Sequence, residues 1–152
     1  GSACYRCSRC FFLTGPAAPG ISPLSPPDAL PVPDAGVDAL HASQRRWWEA
    51  EFPEVDGDDG LNLAGWCKKI TGLTSITVGS VGLSSDFIGA FAGEDSKTRP
   101  ISDVIERLEK GEFDLVAVGR ALLQDPFWAQ KIKDGRTEEL ADYDAKALAT
   151  LY

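Results

Sequence analysis

Two apolar runs that each end in glycine carry the chemistry this chain can offer. Ser75-Ile76-Thr77-Val78 leads into Gly79-Ser80-Val81-Gly82, and Phe113-Asp114-Leu115-Val116-Ala117-Val118 leads into Gly119-Arg120. Both runs are rich in β-branched or aromatic residues and are bounded by turn residues, the pattern of buried parallel strands. A glycine at the carboxyl end of a strand has no Cβ, so its own amide and its neighbour's can approach an anion closely. Arg120 adds a positive charge whose forked donors match phosphate oxygens. Gly79, Ser80, Gly119 and Arg120 are therefore the candidate anion-binding residues, with phosphate as the anion. The plainer alternatives are that Gly79 and Gly82 are turn glycines, and that Arg120 pairs with a carboxylate such as Asp114 or Asp125.

The elements that must position these residues are readable around them. A third strand spans roughly Val37 to Ala42. Leu63, Trp66, Cys67 and Ile70 recur at helical spacing, with Lys68 and Lys69 near the carboxyl end and Gly72 as the stop. Ile101, Val104, Ile105 and Leu108 repeat that spacing, with Pro100 ahead of them, Lys110 in the last turn and Gly111 beyond. Asp125-Pro126 reads as the cap and first turn of a helix carrying Phe127, Trp128 and Ile132. Alternation of strand and helix predicts an α/β fold with parallel pairing and right-handed crossovers. In eight-stranded (β/α) barrels the loops after the last two strands are a frequent phosphate site. The stretches Glu49 to Asp59 and Gly89 to Arg99 interrupt the alternation as long loops.

From Asp34-Ala35-Gly36-Val37-Asp38 to the carboxyl end, the chain resembles the carboxyl-terminal part of the Old Yellow Enzyme family, FMN-dependent NADH:flavin oxidoreductases on a TIM (β/α)8 barrel. The resemblance is carried by Asp38-Ala39-Leu40-His41-Ala42-Ser43-Gln44-Arg45-Arg46-Trp47-Trp48-Glu49, by Leu63-Ala64-Gly65-Trp66, by Ile76 to Leu83, and by Phe113 to Leu123 with Asp125-Pro126, in family order. It implies that residues 34–152 are a partial barrel made of the last three βα units, strands six to eight. It also implies that Gly79, Ser80, Gly119 and Arg120 hold the FMN phosphate. In the full-length family, hydride passes from NAD(P)H through FMN to the activated C=C bond of an enone-like acceptor. The family's tyrosine proton donor, its His/His or His/Asn pair that holds the substrate carbonyl, and the arginine facing the flavin's pyrimidine edge lie on earlier strands. No segment here matches them, so no catalytic residue is assigned and activity of this chain by itself is left open. The expected function is the FMN-binding portion of an ene-reductase; the alternative is a non-catalytic half-barrel fragment or gene remnant that acts by association. By the same resemblance Trp47 and Trp48 lie on the active-site rim, where an aromatic ring would wall the pocket. His41 reads as a packed strand residue.

Residues 1–33 hold seven of the ten prolines and show no amphipathic period. They are expected to be an irregular or disordered leader outside the family sequence, a misread frame, a fusion or an artificial junction. Phe11-Phe12-Leu13 is too short for a signal-peptide core. The family would place strand five and helix six in this region. The lack of any methionine fits a fragment. Cys4, Cys7 and Cys10 have spacing that could hold zinc or three corners of an iron–sulfur cluster. The other candidate ligands, Cys67 and His41, lie in the barrel segment, so no metal site is assigned; Cys67 is expected to pack as a small apolar residue.

At 152 residues and 43% hydrophobic, the chain can bury one core. A net charge of −8 argues against nucleic acid or an anionic membrane as partner, because such binding needs a basic face. No apolar run approaches the roughly 18 to 20 residues that span a bilayer. With no sound signal for an oxidising compartment, a cytoplasmic location is expected. A three-stranded sheet cut from a barrel leaves both outer strands with an unpaired edge, so self-association is expected too.

Overall fold

The computed structural model describes residues 36–91 and 96–149, together with the backbone of two short strands before them. One mixed sheet runs in the order β1 (Arg6–Cys7), β2 (Cys10–Thr14), β3 (Ala39–Ser43), β4 (Thr74–Val78), β5 (Leu115–Val116). β1 pairs antiparallel with β2, and every other neighbour is parallel. Between the strands lie α1 (Pro53–Asp56), α2 (Leu63–Thr71), α3 (Phe87–Phe91) and α4 (Ser102–Glu109). After β5 come α5 (Arg120–Gln124), α6 (Trp128–Lys133) and two short 3-10 turns, Thr137–Glu139 and Ala145–Ala149.

Most of residues 1–33, expected to be an irregular leader, lies outside the described residues, but Cys10–Thr14 within it is a strand. That segment is in full parallel register with β3, from Cys10 opposite Ala39 to Thr14 opposite Ser43. The physical reason is local: Cys10-Phe11-Phe12-Leu13-Thr14 has the aromatic, apolar content and the length of a strand. The prolines that dominate residues 1–33 lie outside it. Consequently β3 is not an edge strand; it is paired on both sides. The cysteine run, to which no metal is assigned, is only partly placed: the backbones of Cys7 and Cys10 oppose each other in β1 and β2, and Cys4 lies outside the described residues.

Which face of the sheet is buried follows from α2. Leu40 and Ala42 of β3, and Ser75 and Thr77 of β4, point to the covered side, while Ile76 is only half-buried and Leu115 of β5 is 53% exposed. Alternation in Ser75-Ile76-Thr77-Val78 thus places the polar residues inside. Small side chains let the helix approach, and both hydroxyls are satisfied: Ser75 donates to the Ala64 carbonyl at 2.6 Å, and Thr77 accepts from Asn62 at 3.0 Å. Around them Leu40, Trp47, Leu83 and Phe113 are nearly fully buried, each contributing about 1.5–3 kcal/mol or more by removal from water.

Helix α2 covers the predicted segment, but the face it buries is Ala64, Gly65 and Cys67, while Leu63, Trp66 and Ile70 of the predicted stripe are only half-buried. Asn62 caps it by accepting from the Gly65 amide at 2.9 Å, and Gly72, in the left-handed region at φ 69°, ends it. α4 buries Val104 but leaves Ile105 41% exposed, because that residue lies at the margin of the apolar stripe. Phe127 is 69% exposed and precedes α6, whose buried anchor is Trp128. β5 is shorter than the predicted run, although Asp114 and Ala117 still donate to Ser75 and Thr77 carbonyls on β4. No described helix is long and apolar enough to cross a membrane.

Asn62 also donates to the Trp47 carbonyl at 2.8 Å, so one fully buried amide joins α2, β4 and the loop after β3. Asn62→Ala strips the cap and leaves the Trp47 carbonyl and Thr77 hydroxyl unsatisfied; a loss of about 2–4 kcal/mol is expected in urea denaturation monitored by tryptophan fluorescence.

Candidate anion-binding site

β4 and β5 end side by side, and the four residues singled out in the sequence meet there. Gly79 and Ser80 leave β4, Gly119 precedes α5, and Arg120 opens it. All four line one cavity of about 160 Å³, together with Ser43, Gln44 and Arg45 from the end of β3 and its loop, and Phe87 of α3.

Arg120 is held entirely by neutral oxygens. Its Nη2 donates to Ser80 Oγ at 3.2 Å and to the Ser85 carbonyl, its Nη1 donates to the Asp86 carbonyl at 3.4 Å, and its guanidinium lies 5.3 Å from the Tyr143 ring centroid. The carboxylates that might have claimed it are taken: Asp114 pairs with Lys68 and Asp125 with Lys131, each at 2.7 Å. Among the described residues Arg120 has no carboxylate partner. Burial lowers its pKa, opposed by Tyr143 and Asp86, and a guanidinium remains charged in any case.

Ser80 is the only non-glycine residue with positive φ among those described, at 56°. That conformation costs a side chain roughly 1 kcal/mol or more. It brings the Ser80 hydroxyl between two segments, where it donates to the Arg45 carbonyl at 2.9 Å and accepts from Arg120. Gly79 is demanded for a reason the sequence did not disclose. At φ 145° a Cβ there would sit 2.4 Å from the Gln44 carbonyl oxygen, so the loop after β3 rests directly on it. Gly119 differs: a Cβ would meet nothing within 4 Å. Among the described residues the amides of Gly79, Ser80 and Gly119 find no acceptor.

Asp86 is the residue that sequence reasoning missed. It is 2% exposed and its Oδ1 accepts from the amides of Ile88 and Gly89, both at 2.9 Å. Its Oδ2 pairs with Arg45 at 2.8 Å and Arg46 at 3.1 Å. The Gly89 amide and the two arginines outweigh burial and hold the carboxyl below the ordinary aspartate range. The signal in the text was faint: an aspartate ahead of an apolar turn, far in sequence from the arginines it binds.

No protein-family model matches this chain, and no curated protein matches it. Its site must therefore be read from its own geometry. Trp47 does not wall the cavity; it is buried in the core, with Trp48 edge-on to it at 6.0 Å and beneath the Arg99 guanidinium. His41 lies on β3, half-buried, opposite Ile76. Cys67 is buried in α2, and burial, reinforced by the charge of Glu51, pushes its thiol up to about 12, so it stays protonated. Among the described residues no group of His, Cys, Asp or Glu is arranged to hold a metal.

Two outcomes follow from this geometry. Gly79→Ala forces Cβ into the Gln44 backbone at a strained φ and is expected to cost about 2–4 kcal/mol in chemical denaturation, whereas Gly119→Ala is expected to stay within about 1 kcal/mol of the parent. Because the folded-state pKa of Asp86 is depressed, its stabilising contribution is present above the unfolded pKa of about 4 and is lost as pH falls through the lower folded value. Urea midpoints measured from about pH 6 down to about pH 3 should therefore fall, and Asp86→Asn should flatten part of that slope.

Proposed function

We propose that this cavity grips the phosphate of FMN, and that the chain is the FMN-binding portion of an Old Yellow Enzyme-type NAD(P)H:flavin oxidoreductase. The observation that carries the reading is Arg120, a cation without a carboxylate partner among the described residues, set beside three amides that lack acceptors. That donor set suits a phosphate group. The size of the cavity agrees: about 160 Å³ accommodates a phosphate, well short of the roughly 300–1,000 Å³ typical of sites for whole drug-sized ligands.

The fold supports the same reading. Four neighbouring parallel strands, β2 to β5, with helices between β3 and β4 and between β4 and β5, suit the last part of a (β/α) barrel. β2 occupies the place beside β3 where the resemblance puts strand five. FMN, when bound, supplies hydride transfer, in the full-length family between NAD(P)H and an enone-like acceptor. The residues of this chain bind and orient: Arg120 neutralises phosphate charge, Ser80 fixes the Arg120 fork, and the loop after β3 closes one side.

A second reading, a half-barrel acting by association, is favoured by one observation. Among the described residues β5 ends the sheet with one side unpaired and presents Leu115, 53% exposed.

The grip is tested by titrating FMN into the protein and following flavin fluorescence. Arg120→Ala is expected to weaken FMN binding at least about tenfold, as befits a charge-assisted contact to a phosphate. An Arg120→Ala protein that binds FMN like the parent would dismiss the site.

A further inference from the structure

We infer that Arg45 is a second cationic contact for the bound phosphate, held beside the cavity by the buried carboxylate of Asp86. This rests on the reading of the cavity as a phosphate grip and names a residue that neither the glycine pattern nor the resemblance assigns to it. Arg45 lines the same cavity as Arg120, and its side chain is 53% exposed. It commits one nitrogen to Asp86, and a guanidinium carries five N–H donors, so most of its fork is available to an anion.

Asp86 suits the part of anchor. It is 2% exposed, and one of its oxygens is fixed by two backbone amides, so the carboxylate cannot swing away. Its second oxygen is shared with Arg46, whose other nitrogen is engaged by Glu49 at 2.8 Å. The guanidinium groups of Arg45, Arg46 and Arg120 thus converge on this end of the sheet in a chain whose net charge is −8. A local positive field is what an anion needs in order to settle on an acidic protein.

The two arginines are also mechanically joined. The Ser80 hydroxyl donates to the Arg45 carbonyl and accepts from Arg120, so one side chain ties both cation-bearing segments together. A phosphate monoester carries a charge of about −1.5 to −2 near neutral pH. Arg120 alone balances only part of that; the open donors of Arg45 add charge-assisted hydrogen bonds to the same anion.

The test compares FMN, riboflavin and inorganic phosphate as ligands for the intact chain, at low salt, in the parent, Arg45→Ala, Arg45→Lys and Arg120→Ala proteins. Flavin fluorescence follows the first two ligands and calorimetry the third, with thermal unfolding as the check on fold. Arg45→Ala is expected to weaken FMN and inorganic phosphate about five- to tenfold, and Arg45→Lys to recover most of that loss. Riboflavin, which lacks the phosphate, should bind unchanged. Equal losses for FMN and riboflavin would mean a structural role and overturn the inference. If Arg120→Ala weakens FMN while Arg45→Ala does not, the grip stands and the second contact falls. If neither FMN nor phosphate binds the parent, the grip itself falls and takes the second contact with it.

Discussion

The structure turns on one buried amide. Asn62 uses its carboxamide three times, once to cap α2 and twice to hold the Trp47 carbonyl and the Thr77 hydroxyl. In a dry interior, polar groups are tolerated only when satisfied, so these three partners cannot separate without stranding one another. The Trp47 backbone is in turn clamped from its other side, where its amide donates to the Gly79 carbonyl at 3.0 Å. The position of the loop after β3, and with it one wall of the cavity, is therefore inherited from the helix cap. Gln44 reinforces the arrangement: its side chain accepts from the Leu63 amide at 2.8 Å and donates to Glu51.

Electrostatics near the cavity run against the character of the whole chain. Most arginines and lysines described elsewhere sit in ion pairs; the exposed ones, such as Lys110 with Glu106 and Arg136 with Glu139, contribute little to stability. At the ends of β4 and β5 the pattern changes. Among the described residues, Arg120 is held by carbonyl and hydroxyl oxygens that orient it without cancelling its charge. Its cluster with the guanidinium groups of Arg45 and Arg46 stands out in a chain whose net charge is −8.

Much of this was legible from the text. The helix over Leu63 to Ile70, its stop at Gly72 and the strand end at Gly79 lie where the pattern put them, whereas β5 stops at Val116, short of the predicted end at Val118. What the sequence concealed was depth and direction. The Ser75-Ile76-Thr77-Val78 alternation suggests that isoleucine and valine face the core, yet the hydroxyl residues do, because their polar atoms find partners on α2. Cys10–Thr14 was masked by the prolines and cysteines around it, although its own five residues are strand-like. The role of Asp86 depends on ion pairs across about forty residues of chain, which no local window can reveal.

The parallel ladder has a consequence for how the molecule comes to exist. Each pairing from β2 to β5 joins residues roughly 30 to 40 positions apart, so no strand can zip onto its neighbour by a tight turn. Loop closure must be met before a single ladder bond forms, which makes the search for the native state slow compared with that of a helical bundle of equal length. The strand ends that build the cavity are brought together only when this search is complete. The cavity exists only once the ends of β4 and β5 lie side by side, so it cannot precede the pairing of those two strands.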